Sequence, residues 1–292
     1  LGLLFLNPSL RTRVSMVGAW AHLGGACVDL TPGVGMWNMA TGSAPMLGAE
    51  AEHIEEAAGV LGRLCNVLGV RAFAEGKDWQ ADRQDATMAV FARHSRCPLV
   101  NMESGVWHPC QALADRMTLD EHDIPKSGRF VLSWAFHPKS LPMAVPNSAL
   151  LMAAQRGMKV TVLRPEGYQL DADVMASAHK LASQAGGSVE ESSDPASLKG
   201  ATVVYAKSWG SMAQYGKPEA EQALRAQYRD WCVGGPKLAV DSTTRFMHCL
   251  PVRRDVVVTT KLLTSSQSLI LDQAENRKWA QCSVLAHMLG AG

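Results

Sequence analysis

Short apolar runs alternating with segments of helical spacing constrain this chain more than any other feature of it. The runs fall at 3–6, 26–30, 67–72, 99–102, 130–134, 160–163, 203–206 and 269–271. Between most of them lie amphipathic stretches, at 13–23, 53–64, 85–94, 110–122, 148–156, 172–185 and 220–228. A short run with no polar alternation suits a strand covered on both faces, and strands that take turns with helices are joined by crossovers. The pattern therefore predicts an α/β fold of doubly wound parallel sheets.

A length of 292 residues is enough for two such sheets, since domains run to roughly 150 residues each. The polar turn at 123–128 divides the chain into domains at 1–126 and 127–272, and the helix expected over 273–289, with no strand after it, is free to pack back on the first domain. Lys and Arg total 28 against 27 Asp and Glu, a formal charge of +1. With no global field to grip nucleic acid or a membrane surface, any anion must be held by a local site. Apolar runs stop well short of the roughly 20 residues that span a bilayer. Seven scattered cysteines without a CxxC pair predict neither disulfides nor zinc, and point to a reducing, cytoplasmic setting. The opening at Leu1, apolar and without Met or a basic stretch, reads as a buried strand with more chain before it.

Two loops stand out. Residues 31–48 hold Pro32, Gly33, Gly35, Gly42, Pro45 and Gly48 around Trp37, and 137–147 hold Pro138, Pro142 and Pro146. Long or stiffened connections of this kind carry function more often than packing does.

Four constellations carry chemistry. Asn7-Pro8-Ser9-Leu10-Arg11-Thr12-Arg13 falls where a strand gives way to a helix. Unpaired N–H groups, hydroxyls and guanidiniums at a helix start make a phosphate site, whereas arginine in a first turn opposes the dipole unless an anion sits there. The bland reading is a Ser9 or Thr12 cap beside solvated arginines. His108-Pro109-Cys110-Gln111 follows the strand ending in Asn101-Met102-Glu103, and Pro109 suits the first helical position. Phe246-Met247-His248-Cys249-Leu250-Pro251-Val252-Arg253-Arg254 and Ala274-Glu275-Asn276-Arg277 complete the set.

Taken in order, the four resemble the aspartate and ornithine carbamoyltransferases over essentially the whole chain. Ser9 to Arg13 looks like their Ser-x-Arg-Thr-Arg signature, and the later three match their other motifs. The resemblance implies that Ser9, Leu10, Arg11, Thr12, Arg71 and Arg277 bind the phosphate of carbamoyl phosphate. It also implies that His108 and Gln111 contact the carbamoyl group and that Cys249 and Leu250 line the junction through their carbonyls. Arg11, Thr12, His108 and Cys249 would be the catalytic set. Trp37 looks like a tryptophan that the family inserts into a neighbouring subunit's site, which implies a homotrimer, although Asn38-Met39 departs from the residues expected after it. No metal or cofactor is implied.

The acceptor is read from a departure. Ornithine enzymes grip the free α-ammonium with an Asp and a Ser-Met-Gly loop, but here the region reads Tyr205-Ala206-Lys207-Ser208-Trp209-Gly210. A lysine repels an ammonium and suits an α-nitrogen masked as an amide. With the proline-rich loop, this resembles the N-acylornithine branch, in which Glu103, His137, Lys207, Leu250 and Arg253 would meet the acceptor and the second domain would be knotted. Ala51 stands where the acetyl enzymes place a Glu, and Val257 where they carry a lysine that becomes carboxylated. Both changes, with the extra residue between Glu103 and His108, favour N-succinylornithine over N-acetylornithine.

Three rivals remain at this point: an ordinary ornithine carbamoyltransferase, a non-catalytic carbamoyl phosphate-binding protein, and a nucleotide-dependent dehydrogenase. The last has only Gly33-Val34-Gly35 as its fingerprint, without the third Gly or a following helix.

Overall fold

The computed structural model describes residues 1–290. It divides into two compact units, one comprising Leu1–Glu75, Gln80–Cys110 and the chain from Arg277, the other Gly76–Trp79 and Gln111–Asn276. The polar turn at 123–128 lies inside the second unit.

From the start of the chain the elements are β1 (Gly2–Phe5), α1 (Leu10–His22), β2 (Val28–Pro32), β3 (Gly35–Met36), β4 (Met39–Ala40), β5 (Glu52–His53), α2 (Ile54–Leu64), β6 (Leu68–Arg71), α3 (Trp79–Asp82), α4 (Ala86–His94), β7 (Leu99–Glu103) and α5 (Pro109–Glu121). There follow β8 (Arg129–Trp134), α6 (Ala144–Gln155), β9 (Lys159–Leu163), α7 (Ala172–Ala185), β10 (Ser188–Ser192), β11 (Val203–Lys207), α8 (Pro218–Arg225), β12 (Arg245–Met247), α9 (Thr260–Leu263) and α10 (Ile270–Met288).

The two large sheets are parallel throughout and share one plan. Their strand orders are β3-β2-β1-β6-β7 and β10-β9-β8-β11-β12. In each, the chain leaves a central strand, builds outward on one side, then crosses back to build on the other, which makes a topological switch point at β1/β6 and at β8/β11. Loops leaving the C-terminal ends of such strands diverge and open a crevice where ligands bind.

Central strands are apolar on both faces because helices cover both. Leu3, Leu4 and Phe5 are at most 1% exposed, and burying side chains of that size contributes about 1.5–3 kcal/mol each. Met16, Ala19 and Trp20 of α1 pack on one face of the first sheet, while Ile54 and Ala58 of α2 pack on the other. Ser9 starts α1 by accepting a hydrogen bond from the Thr12 backbone N–H at 3.2 Å.

Expectation and structure part at the sheet margins. β10 is absent from the strands expected from sequence, whereas β12 is the strand expected before Cys249; both are edge strands. One is Ser-Val-Glu-Glu-Ser, polar along its open edge; the other has only three residues. The run at 269–271 is not a strand: Phe246 makes a single bridge with Ser268 before α10 opens at Ile270, and a three-residue apolar run is equally a helix start. The loop expected over 137–147 stops early, since α6 begins at Ala144. Pro146 is tolerated there because N–H groups of a first helical turn have no partner within the helix. Gly33 lies in the exposed turn between β2 and β3 and Gly35 opens β3, without the strand-to-helix context of a nucleotide fingerprint.

Candidate functional site

In the first unit, the strands of the switch point deliver the predicted residues. β1 runs through Asn7, whose side chain accepts from the Phe73 N–H at 2.7 Å, into the Ser9 cap of α1. Thr12 is fully buried on that first turn, and its hydroxyl oxygen accepts from Arg277 Nη2 at 2.6 Å, leaving its own O–H as a donor. Arg13, two residues after Arg11, has a structural role. It is spent on the fold, paired with Asp29, bonded to Thr31 and stacked over the Phe5 ring at 4.0 Å.

Arg71 ends β6. A register shift between Val70 and Arg71 sets it opposite Glu103 on β7. The two form a buried ion pair, both about 9% exposed at the side chain, with the Arg71 guanidinium 4.5 Å over the Phe73 ring. His108, 3% exposed, brings Nε2 to 3.4 Å from the same Glu103 oxygen. Arg71, Glu103 and His108 thus form one cluster. Glu103, expected with the acceptor residues, belongs to this unit, whereas His137, Lys207, Leu250 and Arg253 belong to the other.

The loop between Glu103 and His108, one residue longer than the related pattern, is held by a group that sequence reasoning missed. Asp85, itself left-handed at φ 47°, accepts from the Ser104 hydroxyl at 2.6 Å and the Gly105 N–H at 2.8 Å. Burial pushes its carboxyl above the usual range. Cys110 of the same motif is pushed up to about 11 by burial, which makes it a packing thiol rather than a nucleophile.

Trp37 stands apart. It is 69% exposed and lines a recess of about 600 Å³ with Gly33, Gly35, Met36, Asn38 and Ala49. Among the described residues it makes no hydrogen bond or ring contact.

In the second unit, β8, β11 and β12 end on the corresponding side of their sheet. His137 follows β8, and its Nε2 accepts from Arg253 Nε at 3.1 Å. Desolvation, then the cations Arg253, Lys207 and Arg225, lower its pKa below the usual imidazole value, so the neutral ring is the form that accepts from Arg253. Lys207 closes β11. Among the described residues, no carboxylate pairs with His137, Lys207 or Arg253.

After β12 comes a turn with an unusual backbone. Leu250 is left-handed at φ 57° and precedes a cis proline. Its N–H donates to His248 Nδ1 at 2.8 Å, and the His248 N–H donates to Gln273 Oε1 at 3.0 Å. Cys249 is 8% exposed within this turn, and Gln111 is 1% exposed one helical turn from Asp115. Arg225, also missed from sequence, is fully buried in an ion pair with Glu221 and donates to the Ser208 hydroxyl and the Trp209 carbonyl at 3.2 Å each. It braces the segment after Lys207. Its signal was present as a Glu and Arg four apart on α8, yet that spacing equally describes a solvated helix face.

Among the described residues no cluster of His, Cys, Asp and Glu could hold a metal ion, and no helix is long and apolar enough to cross a membrane. The seven cysteines are free thiols.

Comparison with known proteins covers the whole chain. Residues 1–121 match the carbamoyl-P binding domain of aspartate/ornithine carbamoyltransferase, and residues 143–288 match its Asp/Orn binding domain. The chain is 41% identical to the N-acetylornithine carbamoyltransferase of Xanthomonas campestris pv. campestris, over 99% of this chain and 87% of that protein. It is 34% identical to the N-succinylornithine carbamoyltransferase of Bacteroides fragilis, over 98% and 86% respectively. A solved N-acetyl-L-ornithine transcarbamylase, a variant with one Glu replaced by Ser and complexed with carbamyl phosphate and N-succinyl-L-norvaline, superposes with a TM-score of 0.94 at 41% identity, covering 98% of this chain and 88% of that one.

Proposed function

From the premise that the chain belongs to the aspartate/ornithine carbamoyltransferase family, we propose that it moves the carbamoyl group of carbamoyl phosphate to the δ-amine of an N-acylated ornithine. The observation that carries the acceptor reading is the second unit's cluster of His137, Lys207 and Arg253, two cations and a neutral imidazole with no carboxylate partner among the described residues. Free ornithine would set its α-ammonium against those cations. An N-acyl amide removes that charge and leaves the α-carboxylate for Arg253 and Lys207 to bind.

Chemistry follows from the first unit. Arg11, Arg71 and Arg277 neutralise the phosphate as it leaves, at the start of α1 where the helix end adds its own positive potential. The unprotonated δ-amine attacks the carbamoyl carbon, the C–O bond to phosphate breaks, and the amine proton is lost. His108 and the Thr12 O–H polarise the carbonyl as negative charge develops on its oxygen. Glu103 sets the Arg71 guanidinium and shares its oxygen with His108. Ser9 and Leu10 contribute backbone and cap, and the family resemblance assigns Gln111, Cys249 and Leu250 to the carbamoyl group.

Within the acyl class we favour N-succinylornithine. Ala51 is exposed and removes a carboxylate that would oppose a succinyl anion, and Val257, 2% exposed, is an apolar residue where the acetyl enzymes use lysine. Solved N-acetyl-L-ornithine transcarbamylase variants with that enzyme's Glu replaced by Ser or Ala are complexed with N-succinyl-L-norvaline, which fits the same logic. The proposed setting is cytoplasmic arginine biosynthesis. A homotrimer is supported by Leu10 and Val14 on α1, 72% and 62% exposed, and by exposed Trp37.

The test follows phosphate release from carbamoyl phosphate with ornithine, N-acetylornithine and N-succinylornithine in parallel. Turnover with N-succinylornithine, with N-acetylornithine second, supports the reading; turnover with ornithine alone overturns it.

A further inference from the structure

We propose that Asp115 is a positioning residue for carbamoyl transfer, fixing which end of the Gln111 amide is offered to the carbamoyl group and coupling that choice to the turn of Cys249 and Leu250. The inference rests on the carbamoyltransferase reading above.

Asp115 is wholly buried on α5, one turn beyond Gln111, and does not touch solvent. A single oxygen, Oδ1, accepts from Gln111 Nε2 at 2.8 Å and from Gln273 Nε2 at 2.6 Å. The Tyr205 hydroxyl is a third neighbour, hydrogen-bonded to Asp115 and to Gln273 Nε2, the latter at 3.2 Å. A carboxylate offers only acceptors, so each glutamine must turn its NH2 toward it.

The consequences differ for the two amides. Gln273, with its NH2 committed, offers Oε1 to the His248 N–H at 3.0 Å, and His248 in turn receives the Leu250 N–H. Gln111, with its NH2 committed, has a buried Oε1 with no hydrogen-bond partner among the described residues. Buried carbonyl oxygens are nearly always paired. An acceptor kept waiting in this way matches the carbamoyl NH2, which is the donor end of carbamoyl phosphate. One carboxylate therefore orients two amides at once, with α5 and the β12 turn set by the same atom.

Asp115→Asn keeps shape and removes the rule, because an amide partner accepts Gln111 in either orientation. The expected result is a rise of about 10- to 100-fold in KM for carbamoyl phosphate, with KM for the acyl-ornithine and the melting temperature little changed. Adding Gln111→Glu restores an obligatory acceptor facing the ligand, so the double variant Asp115→Asn/Gln111→Glu should recover part of the lost affinity. An Asp115→Asn enzyme with unaltered KM for carbamoyl phosphate overturns the proposal. So does one that only loses melting temperature and active fraction, without rescue by the second change. Calorimetric titration with carbamoyl phosphate alone reads the same loss of affinity in an enzyme that turns over no acceptor, so failure of the acceptor reading and failure of this one are distinguishable.

Discussion

The two units use one strand plan for two kinds of grip. In the first, the cations at the switch point are locked before any ligand arrives: Arg71 is buried against Glu103 and Phe73, and Arg277 against Thr12. In the second, Lys207 is half-buried at the end of β11 and Arg253 is exposed on a loop, where it donates to a neutral imidazole. A site for one invariant group, phosphate, gains from rigidity, since nothing need reorganise as charge develops. The proposed site for an acyl-amino acid is built at a strand end and on loops, where a few substitutions can retune which acceptor fits.

The contrast predicts graded damage. Arg71→Ala should be the most severe, because it removes a proposed phosphate contact and strands the buried Glu103 carboxylate. Breaking such a pair costs about 3–5 kcal/mol of stability, and steady-state kinetics should show kcat/KM for carbamoyl phosphate down by roughly 10²–10³-fold. Lys207→Met should spare the first unit altogether, raising KM for the acyl-ornithine by about 10- to 100-fold with KM for carbamoyl phosphate unmoved. Ala51→Glu should alter preference rather than competence, shifting the ratio of kcat/KM values toward N-acetylornithine by about tenfold in competition assays. If it leaves the ratio unchanged, the acyl group is chosen elsewhere.

His137 gives a smaller effect with a defined sign. Its folded-state pKa is depressed, so the folded protein holds fewer protons than the unfolded chain below about pH 6.5, where imidazole ordinarily titrates. The neutral ring's contribution is therefore complete above that pH and is lost as pH falls through the folded value. Protonation also ends its acceptance from Arg253. KM for the acyl-ornithine should rise on acidification, and His137→Gln, whose amide oxygen accepts at any pH, should flatten that rise. Arg13→Ala is the smallest: its ion pair with Asp29 is about one-third exposed, so chemical denaturation should show a loss of about 0–1 kcal/mol, with kinetics unchanged.

How much of this was legible in the sequence follows from where burial acts. Central strands announce themselves because both faces are dry, as at 3–6, 67–72 and 203–206; β10, polar and at an edge, does not. Arg11 was visible because a cation in a first helical turn opposes the dipole, and Ser9 and His108 because each immediately precedes a helix; Arg277, expected in a first turn, lies two turns into α10. Asp115 and Arg225 were invisible for the opposite reason. A carboxylate and a guanidinium in helices look ordinary until the fold brings Gln273, 158 positions away, to the first and Trp209 to the second. Glu103 shows a third limit, since only the register shift between β6 and β7 reveals that its partner is Arg71.

The most direct test of the division of labour is one calorimetric series on the wild type, Arg71→Ala and Lys207→Met, each titrated with carbamoyl phosphate and then with N-succinyl-L-norvaline, an acceptor analogue lacking the reactive amine. The account predicts a crossed pattern, in which Arg71→Ala loses carbamoyl phosphate binding and Lys207→Met retains it while losing the analogue. Loss of carbamoyl phosphate binding in Lys207→Met, or tight analogue binding to it, would contradict the account.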